Sequence, residues 1–402
     1  AASAQPATRG VAKAGALPGP LPLLPADNWW NTDISQAPLD PRTDAFIDFI
    51  GRTRRLHPDW GHESGDSLPN PVIYGMPYVV VSGNEPLEPV TFYYDDESDA
   101  GAPGRPPGYP IPVEARTESR WIEGGVPGGG TNGDRHLLIV DRDHRLLYEL
   151  YALQWNATQQ RWYAGSGAIF PLDTNLRRPE GWTSADAAGL AILPGLVRYD
   201  EAYGTEPIRH AFRVTVRATN GYVYPASHRA GSTPSALPMG ARLRLKASKD
   251  ISNYPPHLRR IFQAMKTYGL IVADNGSDMY VTGTYDPRWD MDPIVPAFRT
   301  LTANDFEVVQ LGWQPPAAPP PPPTDTDADD GGLPDDRERS SGLAPADGSG
   351  DNGPDGDPDG DTVSNGEELA RGTHPRGTWT RWFAEGVTGT LFSTRLALFN
   401  AT

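Results

Sequence analysis

Apolar residues in this chain fall into short runs divided by turn residues, and most runs read as strands. They are PYVVV (77–81), PVTFYY (89–94), HLLIV (136–140), RLLYELYAL (145–153), HAFRVTVRA (210–218), ARLRLKA (241–247), GLIVA (269–273) and MYVTGTY (279–285). Several alternate apolar with polar positions, the period of a strand with one face buried. Two segments carry a helical period instead. PRTDAFIDFIG (41–51) places Asp44 near a helix start and Gly51 at its end. PPHLRRIFQAMKTYGL (255–270) spaces Leu258, Ile261, Phe262 and Met265 on one face, with prolines before it and Gly269 behind. Many strands and few helices predict a mainly β fold, an antiparallel sandwich or barrel.

Length and composition divide the chain. At 402 residues it exceeds one ordinary domain, and its 43 Gly and 43 Pro point to linkers and turns. Residues 1–25 are Ala/Pro/Gly-rich and read as a flexible arm. Residues 26–314 read as one globular unit. Pro315 opens a proline run that predicts a polyproline spacer over 315–324. An acidic cassette follows over 325–377, and strand-like residues 378–402 close the sequence. No apolar window is long enough for a membrane span. The absence of Cys excludes disulfides and thiolate chemistry. The opening AASAQPA has the small residues of a signal-peptide cleavage end, which with calcium chemistry predicts secretion.

The formal charge is −16, and residues 325–368 hold fifteen carboxylates against Arg337 and Arg339, about −13 of it. An acidic balance confined to one segment argues against nucleic acid. The acids have a spacing that wraps oxygens around a hard cation, which predicts Ca²⁺. With Glu338 at loop position 12, Asp327 and Asp329 stand at 1 and 3, and Asp335 at 9. Gly331 occupies position 5, where a carboxylate is expected. With Glu368 at position 12, Asp357, Asp359 and Asp361 stand at 1, 3 and 5, and Asn365 at 9. Thr362 takes position 6, where Gly suits the turn. DPDGDTVSNGEELARGTHP resembles thrombospondin type-3 and dockerin-like calcium repeats of secreted bacterial proteins. That resemblance covers about fifty residues and implies a connector made rigid by calcium.

Polar and aromatic residues recur together within 26–314. The clusters are His57, Asp59 and Trp60; Asp134, Arg135, His136 and Asp141; Arg178, Glu180, Trp182, Ser184 and Asp186; Arg198, Tyr199, Asp200 and Glu201; His228; Asp274, Asn275 and Asp278; and Asp286, Arg288, Trp289 and Asp290. Aromatic faces and carboxylates together suit sugars. No nucleophile elbow, HExxH or phosphate loop is present. His136 reads as a core histidine, and Arg198 with Asp200 and Glu201 as an ion-pair network. His57, Asp59, His62 and Glu63 read as a hydrogen-bonded loop in preference to a metal site. The string from LHPDWG through GDRHLLIVD and RRPEGWTSADAAGL to DPRWD resembles a domain of many secreted bacterial proteins, over residues 27–313. The resemblance implies one domain and secretion, and it assigns no catalytic residue.

RWFAEGVTGTLFSTRLALFN resembles the opening of Ig-like β repeats in bacterial surface proteins. Trp382, Phe383, Leu391, Phe392, Leu396, Leu398 and Phe399 form its apolar set. Two strands cannot bury such a face alone. Three outcomes are open: a fragment of a longer chain, a tail folded on its own domain, or a strand donated to a neighbouring copy. The expectation is a secreted structural or surface protein that assembles head-to-tail with other copies of itself. The alternatives are a polysaccharide-active enzyme (hydrolase or lyase) and a non-catalytic glycan-binding module, with cell-surface polysaccharide as partner.

Overall fold

The computed structural model describes residues 10–61, 63–64, 72–316, 327–371 and 373–377. The chain divides into two compact units, 1–315 and 316–402, with the boundary inside the proline run. In chain order the strands are β1 (Ala12–Lys13), β2 (His57–Gly61), β3 (Glu63–Ser64), β4 (Val72–Ile73), β5 (Tyr78–Val81), β6 (Val90–Phe92), β7 (Leu137–Asp141) and β8 (Leu146–Tyr151). They continue with β9 (Gln154–Asn156), β10 (Arg161–Ala164), β11 (Ser166–Pro171), β12 (Phe212–Val216), β13 (Arg242–Leu245), β14 (Leu270–Asn275), β15 (Tyr280–Tyr285) and β16 (Phe306–Val308). The helices are α1 (Thr43–Ile50), α2 (Glu114–Thr117), α3 (Tyr199–Ala202), α4 (Pro256–Thr267), α5 (Met291–Phe298), α6 (Asp335–Ser340) and α7 (Asn365–Arg371).

The first unit is mainly β, with few helices. One sheet has five strands in the order β1-β5-β7-β8-β11, and another has six in the order β16-β13-β14-β12-β15-β2. A three-stranded sheet, β6-β10-β9, lies beside them in sequence. Antiparallel pairs such as β7–β8 are mixed with parallel ones: β5–β7, β12–β14, β15–β2 and β10–β6. The long excursions between those strands in sequence allow the parallel crossovers that a two-residue hairpin cannot make.

Period two sorts the five-stranded sheet onto two cores. Tyr78, Val80, Leu138, Val140, Leu147, Ala168 and Phe170 join the main core, which also holds the six-stranded sheet and α4. Val79, Val81, Leu137, Ile139, Tyr148, Leu150 and Ile169 point the other way, into a second core with Trp162 and Ile122. Both faces are covered, so these strands read as continuous apolar runs.

The lead-in expected as a flexible arm is bound to the first unit from residue 10 onward. Ala12 and Lys13 pair antiparallel with Val80 and Val79. Leu23 and Leu24 are buried in the main core. Burial of the two leucines and the strand pairing hold the segment against the first unit.

Candidate functional site

Four strands end at one place. His136 immediately precedes β7, Tyr151 ends β8, Ser166 begins β11, and Asp274 with Asn275 ends β14. The β7–β8–β11 pairing brings the first three to the same end of the five-stranded sheet, with Ser166 opposite Tyr151. These residues line a pocket of about 460 Å³ with Tyr94, Glu97, Asp134, Ser184, Asp186 and His228. The pocket thus gathers polar residues from four of the sequence clusters. Trp60 and Trp289 do not join them, because they pack on each other in the core.

A charged network underlies the pocket. Arg213 donates from Nε and Nη2 to both oxygens of Asp186, at 3.0 and 2.8 Å, and from Nη2 to Asp274 at 2.9 Å. Its Nη1 donates to Thr282 Oγ1 at 2.9 Å. Both Arg213 and Asp186 are buried. His136 Nδ1 lies 2.6 Å from the Glu123 carboxylate, and Nε2 lies 3.0 Å from the Ala185 carbonyl oxygen. Both neighbours are acceptors, so both ring nitrogens carry hydrogens and the ring is an imidazolium. Burial opposes that charge, and the Glu123 carboxylate overcomes it, raising His136 to about 9. His136 is therefore a satisfied buried cation, unsuited to accept a proton at neutral pH.

His228 differs. Its Nδ1 donates to the Ala187 carbonyl oxygen at 2.8 Å, so in the neutral ring Nε2 carries the lone pair, and the residue lines the pocket. Asn275 donates through Nδ2 to the Ala230 carbonyl oxygen at 3.0 Å, while its buried Oδ1 has no partner among the described residues. Glu97 accepts from Thr183 N at 3.0 Å. Asp59 sits on β2 nearby, and burial raises its carboxyl to about 6, against the pull of Arg213. Asp59 does not line the pocket, whose own groups for acid/base chemistry are its carboxylates and His228.

A second, open cavity of about 790 Å³ adjoins the first, since Tyr94 and Tyr151 line both. The three-stranded sheet forms its wall. Register places Tyr163 opposite Gln154 on one side and Thr91 on the other, all facing the cavity. Trp155 and Trp162 alternate to the opposite face, where Trp162 is buried. Tyr93 stands at the rim, 80% exposed, with its ring 4.8 Å from that of Tyr94. A groove of tyrosines, glutamines and an asparagine thus runs into a polar pocket.

Tyr93, Tyr94, Glu97, Tyr151 and Tyr163 belonged to no sequence cluster. The available signal was the adjacent pair of tyrosines at the end of a strand run. Arg198, by contrast, pairs with Glu201 as expected, and Glu201 meets His210 at 3.0 Å. Asp200 pairs with Arg288 at 2.8 Å. His57 packs on Tyr280, and His62 lies outside the described residues.

The second unit holds the acidic loops. In the loop of Asp357, Asp359 and Asp361, one carboxylate oxygen of each comes within 4.8 Å of the others. Backbone amides of Gly360, Asp361 and Thr362 donate to Asp357, and that of Val363 donates to Asp361. Glu368 is buried, with one oxygen lacking a partner among the described residues. Burial and then the neighbouring Asp359 and Asp361 push its carboxyl above the usual range. Asn365 spends its amide donors on the Asp351 and Gly353 carbonyls, and its buried Oδ1 has no partner among the described residues. A divalent cation fits this set: oxygen donors, three converged carboxylates and unpartnered buried oxygens.

The earlier loop is similar but more neutralised. Asp327 accepts from Gly331 and Gly332 amides, and Asp329 from Gly331. Glu338 is buried, with one oxygen lacking a partner among the described residues. Asp335, however, accepts from Arg339 at 2.8 Å, so one oxygen already faces a cation. Gly331 stands where a carboxylate is expected because the chain is crowded: a Cβ there would lie 3.0 Å from the Gly348 Cα. Thr362 in the later loop has φ of 72°, the left-handed conformation that its position demands of any residue.

The apolar set Trp382, Phe383, Leu391, Phe392, Leu396, Leu398 and Phe399 lies outside the described residues, as does the proline run 317–324. Among the described residues, no helix is long and apolar enough to cross a membrane. No protein-family model matches the chain, and comparison with curated proteins and with solved structures found no match.

Proposed function

We propose that the first unit binds polysaccharide outside the cell, and that the acidic unit is a connector set by calcium. The observation that carries the binding reading is the continuity of the tyrosine groove with the polar pocket through Tyr94 and Tyr151. Tyrosine faces pack on sugar rings, and side-chain amides and carboxylates bind hydroxyls. An open groove suits a chain that extends beyond the pocket. His228 and the lining carboxylates give the same place groups for acid/base work.

Tyr93 and Tyr94 provide the test. Their alanine variants are expected to weaken binding of soluble polysaccharide about tenfold each, read by affinity electrophoresis or calorimetry. Tyr93 is exposed, so its variant keeps the core intact. Unchanged affinity in both variants would remove the groove from the reading. Reducing-sugar release in the same samples separates turnover from binding alone.

In the acidic unit, calcium would be held by Asp357, Asp359, Asp361 and Glu368, and more weakly by Asp327, Asp329, Asp335 and Glu338. Head-to-tail assembly is a separate proposal, resting on the apolar pattern of residues 378–402. Deleting 378–402 is expected to leave a folded monomer that no longer polymerises, checked by electron microscopy and sedimentation.

A further inference from the structure

The hydrogen-bonding sense of the pocket narrows its ligand. The serine and threonine hydroxyl protons of its wall are turned into the protein. Ser166 Oγ donates to the Ser184 carbonyl oxygen at 2.7 Å, Ser184 Oγ to the Leu190 carbonyl oxygen at 2.6 Å, and Thr183 Oγ1 to the Asp186 carbonyl oxygen at 3.1 Å. Besides the Tyr94 and Tyr151 hydroxyls, three acceptors remain on the lining. They are His228 Nε2, the buried Asn275 Oδ1, and the exposed Asp134 carboxylate, which has no bonded partner among the described residues. A buried acceptor without a partner is costly, and a ligand that donates to it recovers that cost.

Charge points the same way. Glu97, Asp134, Asp186 and Asp274 line the pocket, and Glu123 is bonded to His136. Against these five carboxylates stand two cations bonded to them, Arg213 and the His136 imidazolium. Arg135, which donates to the Gly133 and Ala152 carbonyls at the rim, leaves the balance negative. A concave, partly desolvated surface concentrates that potential. A uronate or sulfated sugar would meet repulsion. An ammonium group brings three donors, no acceptor and the complementary charge.

We propose that the pocket selects a polysaccharide bearing free amino groups, with the ammonium of a hexosamine unit set among Asp134, Asn275 and His228. This deepens the polysaccharide-binding reading and rests on it. Ring stacking on the tyrosines holds the chain, and the pocket distinguishes amine from amide or acid.

The test is calorimetry on the full chain with saturating calcium and physiological salt, which limit diffuse attraction to the acidic unit. The probes are glucosamine oligomers, their N-acetylated counterparts of equal length, oligogalacturonates and neutral glucan oligomers. The expected result is that the free-amine oligomer binds about tenfold more tightly than its acetylated counterpart, with oligogalacturonate weakest. Asp134→Asn, at an exposed position, is expected to reduce the ratio of free-amine to acetylated affinity about fivefold. Equal or tighter binding of the acetylated or anionic oligomer would overturn the amine assignment and leave the polysaccharide reading standing. A preference unaltered by Asp134→Asn would place the amine elsewhere and overturn the assignment too. Failure of all four probes to bind would remove the polysaccharide reading itself, and the amine assignment with it.

Discussion

Glu149 shows how far one residue's environment departs from its sequence context. It lies in β8 opposite Leu138 and Ala168, fully buried, and accepts hydrogen bonds from the amides of Ile192 and Leu193. Burial raises its carboxyl to about 8, only partly countered by those two amides. The unfolded chain releases this proton in the ordinary carboxylate range, whereas the folded protein keeps it to about 8. The resulting stabilisation is complete below the ordinary range and is lost as pH rises toward 8. Glu149→Gln removes that dependence. Between pH 5 and 8 the stability difference is expected to move in the variant's favour by about 3 to 5 kcal/mol, measured by chemical denaturation. His136 is the opposite case: a partner carboxylate stabilises the charged form despite burial. Sequence alone singled out His136 as a core histidine, and its two acceptor neighbours agree with that reading. It did not single out Glu149, whose only mark was an acid in an apolar strand.

At the scale of elements, alternation was legible wherever side chains are large. The strand runs of 77–81, 137–141 and 146–151 follow directly from their apolar residues. β2 and β11 were not read as strands. HPDWG carries a proline and an acid, tolerated because β2 is at the edge of the six-stranded sheet. SGAIFP begins with small residues because Gly167 packs against Phe92 and Tyr109, where a Cβ would come within 2.6 Å of both. Such close approaches belong to partners distant in sequence. The calcium loops show a legible strain instead. Thr362 is β-branched and held at φ of 72°. Thr362→Gly is expected to stabilise the second unit by about 1 kcal/mol and to tighten calcium binding, read by calorimetry. Looser binding would mean that the threonine side chain itself supports the loop.

For the whole molecule, the acidic unit and the β unit depend on different physics. Glu338 and Glu368 are buried beside like charges, so the acidic unit lacks compensation in the absence of a cation. Calcium is therefore expected to protect 327–371 from proteolysis where sodium at equal ionic strength does not, followed by mass spectrometry of the fragments. Identical cleavage with calcium and with chelator would remove the connector proposal. The β unit carries its own apolar cores and should digest alike in both conditions. The sequence by itself determined the strand-rich character, the two principal helices, the proline boundary and the acid spacing, because periodicity and local composition encode them directly. Only the tertiary structure decided the mixed sheet order, the docking of the lead-in and the gathering of Tyr94, His136, Asp186, His228 and Asn275 into one pocket. Those depend on which strand ends meet, and contacts between residues far apart in the chain leave no local pattern to read.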